Sequence, residues 1–359
     1  MVSFSHPHDP FTIPRKWWDL YRDSDVPVPQ IGYEDASLHP HERRLREVCA
    51  MNGVKVTEDH VRAARRAYYG AISCVDDHTS RLIGLLRETG RLDDMIVIVT
   101  SDHGEMLGER GAWYKMSFYE GAARVPLLVR APALFPPGRV PTAVSTMDLL
   151  PTLVGLTHDG DLPGLAGQLD GRSLLPHLSG APDHDEVVAE YLAEGAIAPI
   201  VMIRRGRHKF IHSPADPDQL FDLGSDPHEQ ANLAGDLDSA GLGMEFRREI
   251  AARWDLATLD REVRRSQQRR FAVGKALGTG VQNPLGLHAR VQRLKALHPQ
   301  PHGPGRPGGD GPLPAGRARH PPRLRASARP AAAKPAIQEH VPAPSCLDED
   351  RLDKGFCCV

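Results

Sequence analysis

Hydrophobic positions recur along this chain with two different periods, and the change from one to the other divides it. From Thr57, with Glu58 and Asp59 supplying acids suited to a first turn, the stretch "VRAARRAYYGAISCVDDHTSRLIGLLRETG" places Val61, Ala64, Tyr68, Ile72 and Val75 at helical spacing and stops at Gly90. This predicts one long helix, or two broken near Gly70. "MIVIVT" (Met95 to Thr100) is short and β-branched, the pattern of a strand buried on both faces in a parallel sheet, and "VPLLVR" (Val125 to Arg130) reads the same way. Ser145 followed three residues later by Asp148 is a capping-box pattern that opens a helix over "STMDLLPTLVGL". The order helix, strand, strand, helix predicts an α/β fold with a parallel sheet flanked by helices.

After Gly171 the texture becomes short β-rich runs, "EVVAEY", "PIVMIRRG" and "HKFIHS", then "FDLGSDPHEQANLA". These predict a small antiparallel addition, followed by a charged helical segment from about Glu245 to Arg270. The first thirty residues, rich in Pro, His and Trp, read as loop. From roughly Val281 onward Pro, Gly, Arg and Ala dominate and exclude a packed core. The expected organisation is therefore a core over 1–170, a β-rich part with a helix over 171–275, and a disordered low-complexity tail over 276–359.

Composition narrows the class. The 359 residues are 40% hydrophobic and carry a net charge of −2, so a sizeable core is expected and bulk charge gives no case for nucleic acid or a membrane surface as partner. No apolar run approaches the roughly 18 residues a membrane helix needs. Five scattered cysteines (Cys49, Cys74, Cys346, Cys357, Cys358) do not form a disulfide framework, which points to a reducing cytoplasm.

The chemistry concentrates in "VIVTSDHGEMLGERGAWYKMSFYEGAARVPLLVRAP". Ligands of open parallel sheets bind outside the carboxyl ends of strands, and Asp102 and His103 stand at such an end. A carboxylate and an imidazole there suit a divalent cation, with Gly104 permitting a sharp exit. Taken alone, the pair reads first as a strand end in which Asp102 caps the next helix and His103 is solvated.

The surroundings favour the metal-ligand reading. "TSDHGEMLGERGAWYKMSFYEGAARVPLLVRAP", "DLLPTLVGL", "LDGRSLLPHL" and "QLFDLGSDPHEQANLA" resemble, in order, landmarks of the sulfatase branch of the alkaline-phosphatase superfamily. In the last, Leu220, Phe221, Asp222, Leu223, Asp226, Pro227, Glu229, Asn232 and Leu233 match the family pattern. "WYKMSFYEGAARVPL" and "EGAIAPIVMIRRGRHKF" are most similar to the choline sulfatases, and the resemblance covers about residues 1–275. It implies that Asp102 and His103 bind a divalent metal ion, calcium first and magnesium or manganese as alternatives. It implies that Lys115 contacts a sulfate oxygen. "SHPHDPF" resembles a segment in which a histidine binds sulfate and protonates the leaving alkoxide; His8, just before Asp9-Pro10, fits that spacing better than His6. A choline group needs aromatic faces and a carboxylate, for which Trp113 and Glu194 are the candidates, with Tyr114 and Phe118 beside them and Glu190 as a weaker alternative.

The family nucleophile is a formylglycine made from the cysteine of C-x-P/A-x-R, and none of the five cysteines has that context. The N-terminal Asp-Asp pair of the family's metal site is missing too. The expectation is an incomplete chain that corresponds to the C-terminal half of a sulfuric ester hydrolase acting on choline sulfate. The intact family implies a possible homo-oligomer. The alternatives are a non-catalytic remnant or partner subunit, and a phosphonate or phosphate ester hydrolase of the same superfamily.

Overall fold

The computed structural model describes residues 1–33, 38–53, 55–157 and 169–278, with the backbone of 356–358. The opening segment is loop apart from one α-helical turn, α1 (Arg15–Trp18), and a 3-10 turn at Asp23–Asp25. Helix α2 (Pro40–Val48) follows, its first turn closed by His39 and Glu42 in a capping box. Next comes α3 (Glu58–Glu88), one unbroken helix started by Thr57 and terminated by Gly90 in the left-handed region. Gly70 does not break it. A Cβ there would meet Ile13 Cδ1 at 2.4 Å and the Trp17 carbonyl oxygen at 2.8 Å, so the glycine lets the α1 backbone lie against α3.

Strand β1 (Val97–Thr100) is followed by a long loop, the single-turn α4 (Glu120–Ala123), β2 (Leu127–Arg130) and the two-residue β3 (Gly138–Arg139). Here the structure corrects the expected parallel arrangement. β1 and β2 pair antiparallel, Val97 opposite Arg130 and Thr100 opposite Leu127. The connection between them contains no crossover helix to carry the chain back to the starting end of the sheet, and without one neighbouring strands run in opposite directions. Nor is β1 buried on both faces: among the described residues it pairs only with β2, at the sheet edge, and its residues are half-buried or exposed. Leu127 and Val129 of β2 point into a core formed with Ala131, Phe135, Leu174 and Leu178, against which Ile98 of β1 also packs. That core is closed by α5 (Leu149–Thr157), which continues a turn capped by Ser145 and Asp148, and by α6 (Leu175–Leu178).

The second sheet is an antiparallel meander of β4 (Glu186–Tyr191), β5 (Ile200–Arg205), β6 (His208–Ser213) and β7 (Asp216–Asp222). Both of its faces are covered. Val201, Ile203, Phe210 and Leu220 pack on Phe246 and Ile250 of α7 (Ala240–Arg253). Ile200, Met202, Ile211 and Phe221 pack on Met106, Tyr119 and Ala122 from the β1–β2 connection. At about 1.5–3 kcal/mol for each fully buried large apolar side chain, this second contact holds the connection firmly on the meander. The expected helix over Glu245 to Arg270 is two helices, α7 and α8 (Leu256–Gly278), separated at Trp254 and Asp255. The expected tail lies outside the described residues beyond Gly278, except for a short strand β8 (Phe356–Cys358) whose backbone pairs with β2 and β3.

Candidate active site

At the carboxyl end of β1 the chain leaves the ladder through Ser101. The Ser101 hydroxyl donates to the His103 carbonyl at 2.9 Å, and the His103 amide donates to Asp102 Oδ1 at 3.1 Å. His103 Nδ1 donates to the Gly104 carbonyl at 2.8 Å, because a carbonyl can only accept. This fixes the tautomer and leaves the Nε2 lone pair free, 3.7 Å from Asp102 Oδ2. Two donors so spaced fit adjacent positions around a hard divalent cation, and the carbonyl behind Nδ1 is the supporting partner that metal-bound histidines normally have. Slight burial pulls the Asp102 carboxyl upward. The His103 charge, the amides of Asp102 and His103 and the Ser101 hydroxyl outweigh that and hold it below the ordinary range.

Lys115 reaches this end of the strand from the connection. Its ammonium donates to His8 Nε2 at 2.5 Å, across 107 positions of sequence, and the His8 ring stands edge-on to His103 with centroids 5.6 Å apart. His8 Nδ1 donates to the Asp9 carbonyl at 2.8 Å, so Nε2 is its acceptor face. The other histidine, His6, turns away and bonds the Thr12 carbonyl at 3.2 Å. Asp102, His103, His8 and Lys115 therefore form one contiguous group.

Two features that the sequence reading passed over hold Lys115 in place. The first is Glu105. Its Oε1 accepts from the amides of Leu107 and Tyr114, bridging the loop, while the Met106 amide donates to the Tyr114 carbonyl at 2.9 Å. Tyr114 has φ 72°, so the residue before Lys115 is held in a conformation that side-chain-bearing residues seldom adopt. Burial pushes the Glu105 carboxyl up, against the two amides that favour its charged form. The second is a buried ion cluster. Lys209 of β6, 1% exposed, donates to Glu120 at 2.5 Å, to Glu229 at 2.8 Å and to the Phe118 carbonyl at 2.8 Å. The Glu120 amide donates to the other oxygen of Glu229 at 2.7 Å. Glu229 is the acid of the "SDPHEQ" landmark, and here it ties the segment after Lys115 to the meander. Burial pulls both acids upward. Lys209 and Arg204 overcome this for Glu120, whereas the more deeply buried Glu229 stays above its ordinary value.

The residues expected around a cationic group are spread more widely. Trp113 packs on Phe11 with centroids 6.1 Å apart. Phe118 stands edge-on to Tyr191, 6.4 Å away, and the Tyr191 hydroxyl donates to the Glu194 carboxylate at 3.2 Å. Burial, then the neighbouring Glu194 charge, pushes the Tyr191 phenol far up. Tyr191 thus joins Glu194 to the aromatic group, a link the sequence did not reveal. Glu190 is engaged elsewhere, accepting from the Trp254 indole at 2.6 Å. A shallow cleft opens beside Phe118 and Tyr191, lined by His41, Tyr119 and Gln219 among others, with neither Trp113 nor Glu194 in its lining.

The sulfatase family model matches residues 1–159, and that of the N-sulphoglucosamine sulphohydrolase C-terminal region matches residues 108–254. Choline-sulfatase of Rhizobium meliloti (strain 1021) is 42% identical over 306 residues, covering 84% of this chain and 59% of its own. The multifunctional alkaline phosphatase superfamily protein PehA of Trinickia caryophylli is 30% identical over 293 residues, covering 73% of this chain and 56% of its own. Among solved structures, the phosphonate monoester hydrolase SpPMH of Silicibacter pomeroyi superposes with TM-score 0.56 at 29% identity, over 73% of this chain and 54% of its own. The chain thus spans little more than half the length of the relatives it matches. With the family models and these likenesses together, the chain belongs to the sulfatase family.

Proposed function

We propose that this chain supplies the metal- and sulfate-binding part of a sulfuric ester hydrolase of the choline-sulfatase type. The carrying observation is the Lys115–His8 contact beside His103 at the end of β1. An ammonium and an imidazole meeting there form a site for an anion's oxygens. Lys115 offsets charge on the sulfate, and His8, once protonated, delivers its proton to the departing alkoxide. Asp102 and His103 would hold a divalent cation, calcium first among oxygen-favouring ions with magnesium or manganese as alternatives, and the bound ion would polarise the ester as a Lewis acid. Glu194, with Tyr191, Phe118, Tyr114 and Trp113 as aromatic faces, favours a quaternary ammonium as the alcohol part. A cytoplasmic location accords with the free thiols Cys49 and Cys74.

No C-x-P/A-x-R sequence occurs in the 359 residues, so by themselves they offer no formylglycine precursor. The isolated chain should release no sulfate from choline sulfate or an aryl sulfate in the presence of calcium, magnesium or manganese. The direct test is a chimera in which residues 1–275 replace the matching part of an active choline sulfatase. It should hydrolyse choline sulfate in preference to an aryl sulfate and a phosphonate monoester, and Lys115→Ala should abolish turnover. A folded chimera that prefers the phosphonate monoester would support the related hydrolase instead. A folded but inert one would support a non-catalytic chain.

A further inference from the structure

A second group of ligating side chains lies on elements that contribute nothing to the site at β1. His177 of α6, and Asp183 and His184 just before β4, bring two imidazoles and a carboxylate together with donor atoms all within 4.8 Å. The hydrogen bonds around them leave a chemical conflict. His177 Nε2 lies 2.9 Å from the His184 carbonyl and must carry a proton to bond it. His177 Nδ1 is then a lone pair. It is fully buried, has no hydrogen-bond partner, and faces Asp183 Oδ1 at 3.8 Å. A lone pair set against a carboxylate in a buried place calls for a cation between them.

We infer that His177, Asp183 and His184 bind a divalent transition metal of the zinc class through His177 Nδ1, His184 Nδ1 and Asp183 Oδ1. In the arrangement seen, His184 Nδ1 donates to Asp183 Oδ1 at 2.7 Å, and its buried Nε2 has no partner. Metal binding at Nδ1 shifts that proton to Nε2, which lies 3.6 Å from the buried Asp148 Oδ2. Both histidines then have the support metal-bound imidazoles use: a carbonyl behind His177 and a carboxylate behind His184. Asp148 is itself held by the amides of Ser145 and Arg172 at 2.7 and 2.8 Å. Tetrahedral zinc separates its ligand atoms by about 3.3 Å, between the 2.7 and 3.8 Å found here. The adjustment falls mainly on Asp183, whose side chain is 57% exposed and which also gives the ion its way in. Two nitrogen donors select zinc-class ions over calcium and magnesium.

The test uses the full untagged chain, stripped with a chelator and titrated with zinc chloride by calorimetry. One saturable equivalent is expected that calcium does not displace. Asp183→Ala, an exposed change, should weaken it about tenfold or more, the scale on which even supporting partners matter. His177→Gln should weaken it similarly, and Asp102→Ala should leave it unmoved. Absence of a saturable equivalent, unchanged affinity in Asp183→Ala, or loss of the equivalent in Asp102→Ala would each overturn the assignment.

Discussion

Replacing Lys209 with Met separates the charge of the buried ion cluster from its shape. Methionine is close to lysine in length and fills the same space, so the change removes three donated bonds without opening a cavity. What remains is the Phe118 carbonyl and two carboxylates, of which Glu120 keeps Arg204 at 3.4 Å while Glu229, 3% exposed, keeps the Glu120 amide. Breaking a buried pair from one side costs about 3–5 kcal/mol. Because burial already pushes Glu229 upward, it can relieve the loss by taking a proton, which places the expected cost near the lower limit, about 3 kcal/mol. In urea, with a slope of about 3 kcal/mol/M, the unfolding midpoint at neutral pH should fall by about 1 M with the slope unchanged. Adding Glu229→Gln to Lys209→Met should restore part of the loss, with a coupling of about 1–3 kcal/mol. A loss below about 1 kcal/mol, or strictly additive single changes, would refute the view that this lysine pins the Lys115 segment to the meander.

Three further outcomes follow from particular contacts. Burial pulls the Glu186 carboxyl upward, but hydrogen bonds from Arg205 and Arg253 outweigh it and hold it below the usual range. Its folded value is then below its unfolded value of about 4.3, so its contribution is present above that pH and disappears as pH falls through the folded value; Glu186→Gln should flatten the acid limb of a stability-against-pH curve, and an unchanged limb would remove Glu186 as a cause. Glu105→Ala takes away the acceptor for two loop amides, so hydrogen exchange should accelerate at Tyr114 and Leu107 while the amides of β5 keep their protection; equal acceleration in β5 would instead signal global loosening. Gly104→Ala places a Cβ 2.2 Å from the Gly121 carbonyl oxygen, which is backbone and cannot swing aside, so the change should destabilise by about 1–3 kcal/mol on thermal unfolding, whereas a neutral result would show that the loop after His103 is free to shift.

What could be read from the sequence was what is encoded locally. The α3 boundaries follow from Thr57 and Gly90, and the Ser145–Asp148 cap from its three-residue spacing. Asp102 and His103 were legible because a strand end and its exit are set by adjacent residues. Strand direction was not. A run such as "MIVIVT" records that a strand is apolar, while whether its partner is parallel depends on the connection, and here that connection is mostly loop. β7 was passed over because Asp216, Pro217 and Asp218 are poor strand formers; its pairing with β6 supplies what local preference does not.

Lys209 shows where such reading stops, and why. Alternation along "HKFIHS" puts Lys209 on the same face as Ile211 and opposite Phe210. In a two-layer protein with one wet face, a lysine in that register belongs in water. It is buried because the β1–β2 connection covers that face too, bringing Phe118 and Glu120 from 91 and 89 positions away, while Glu229 comes from 20 positions further on. No periodicity over a window of a dozen residues contains that information. What the sequence did carry was an acid at Glu229 inside a fixed motif with no local task of its own. A carboxylate required at a set place, with no cap or turn to explain it, calls for a distant cation, and the buried one that reaches it is Lys209.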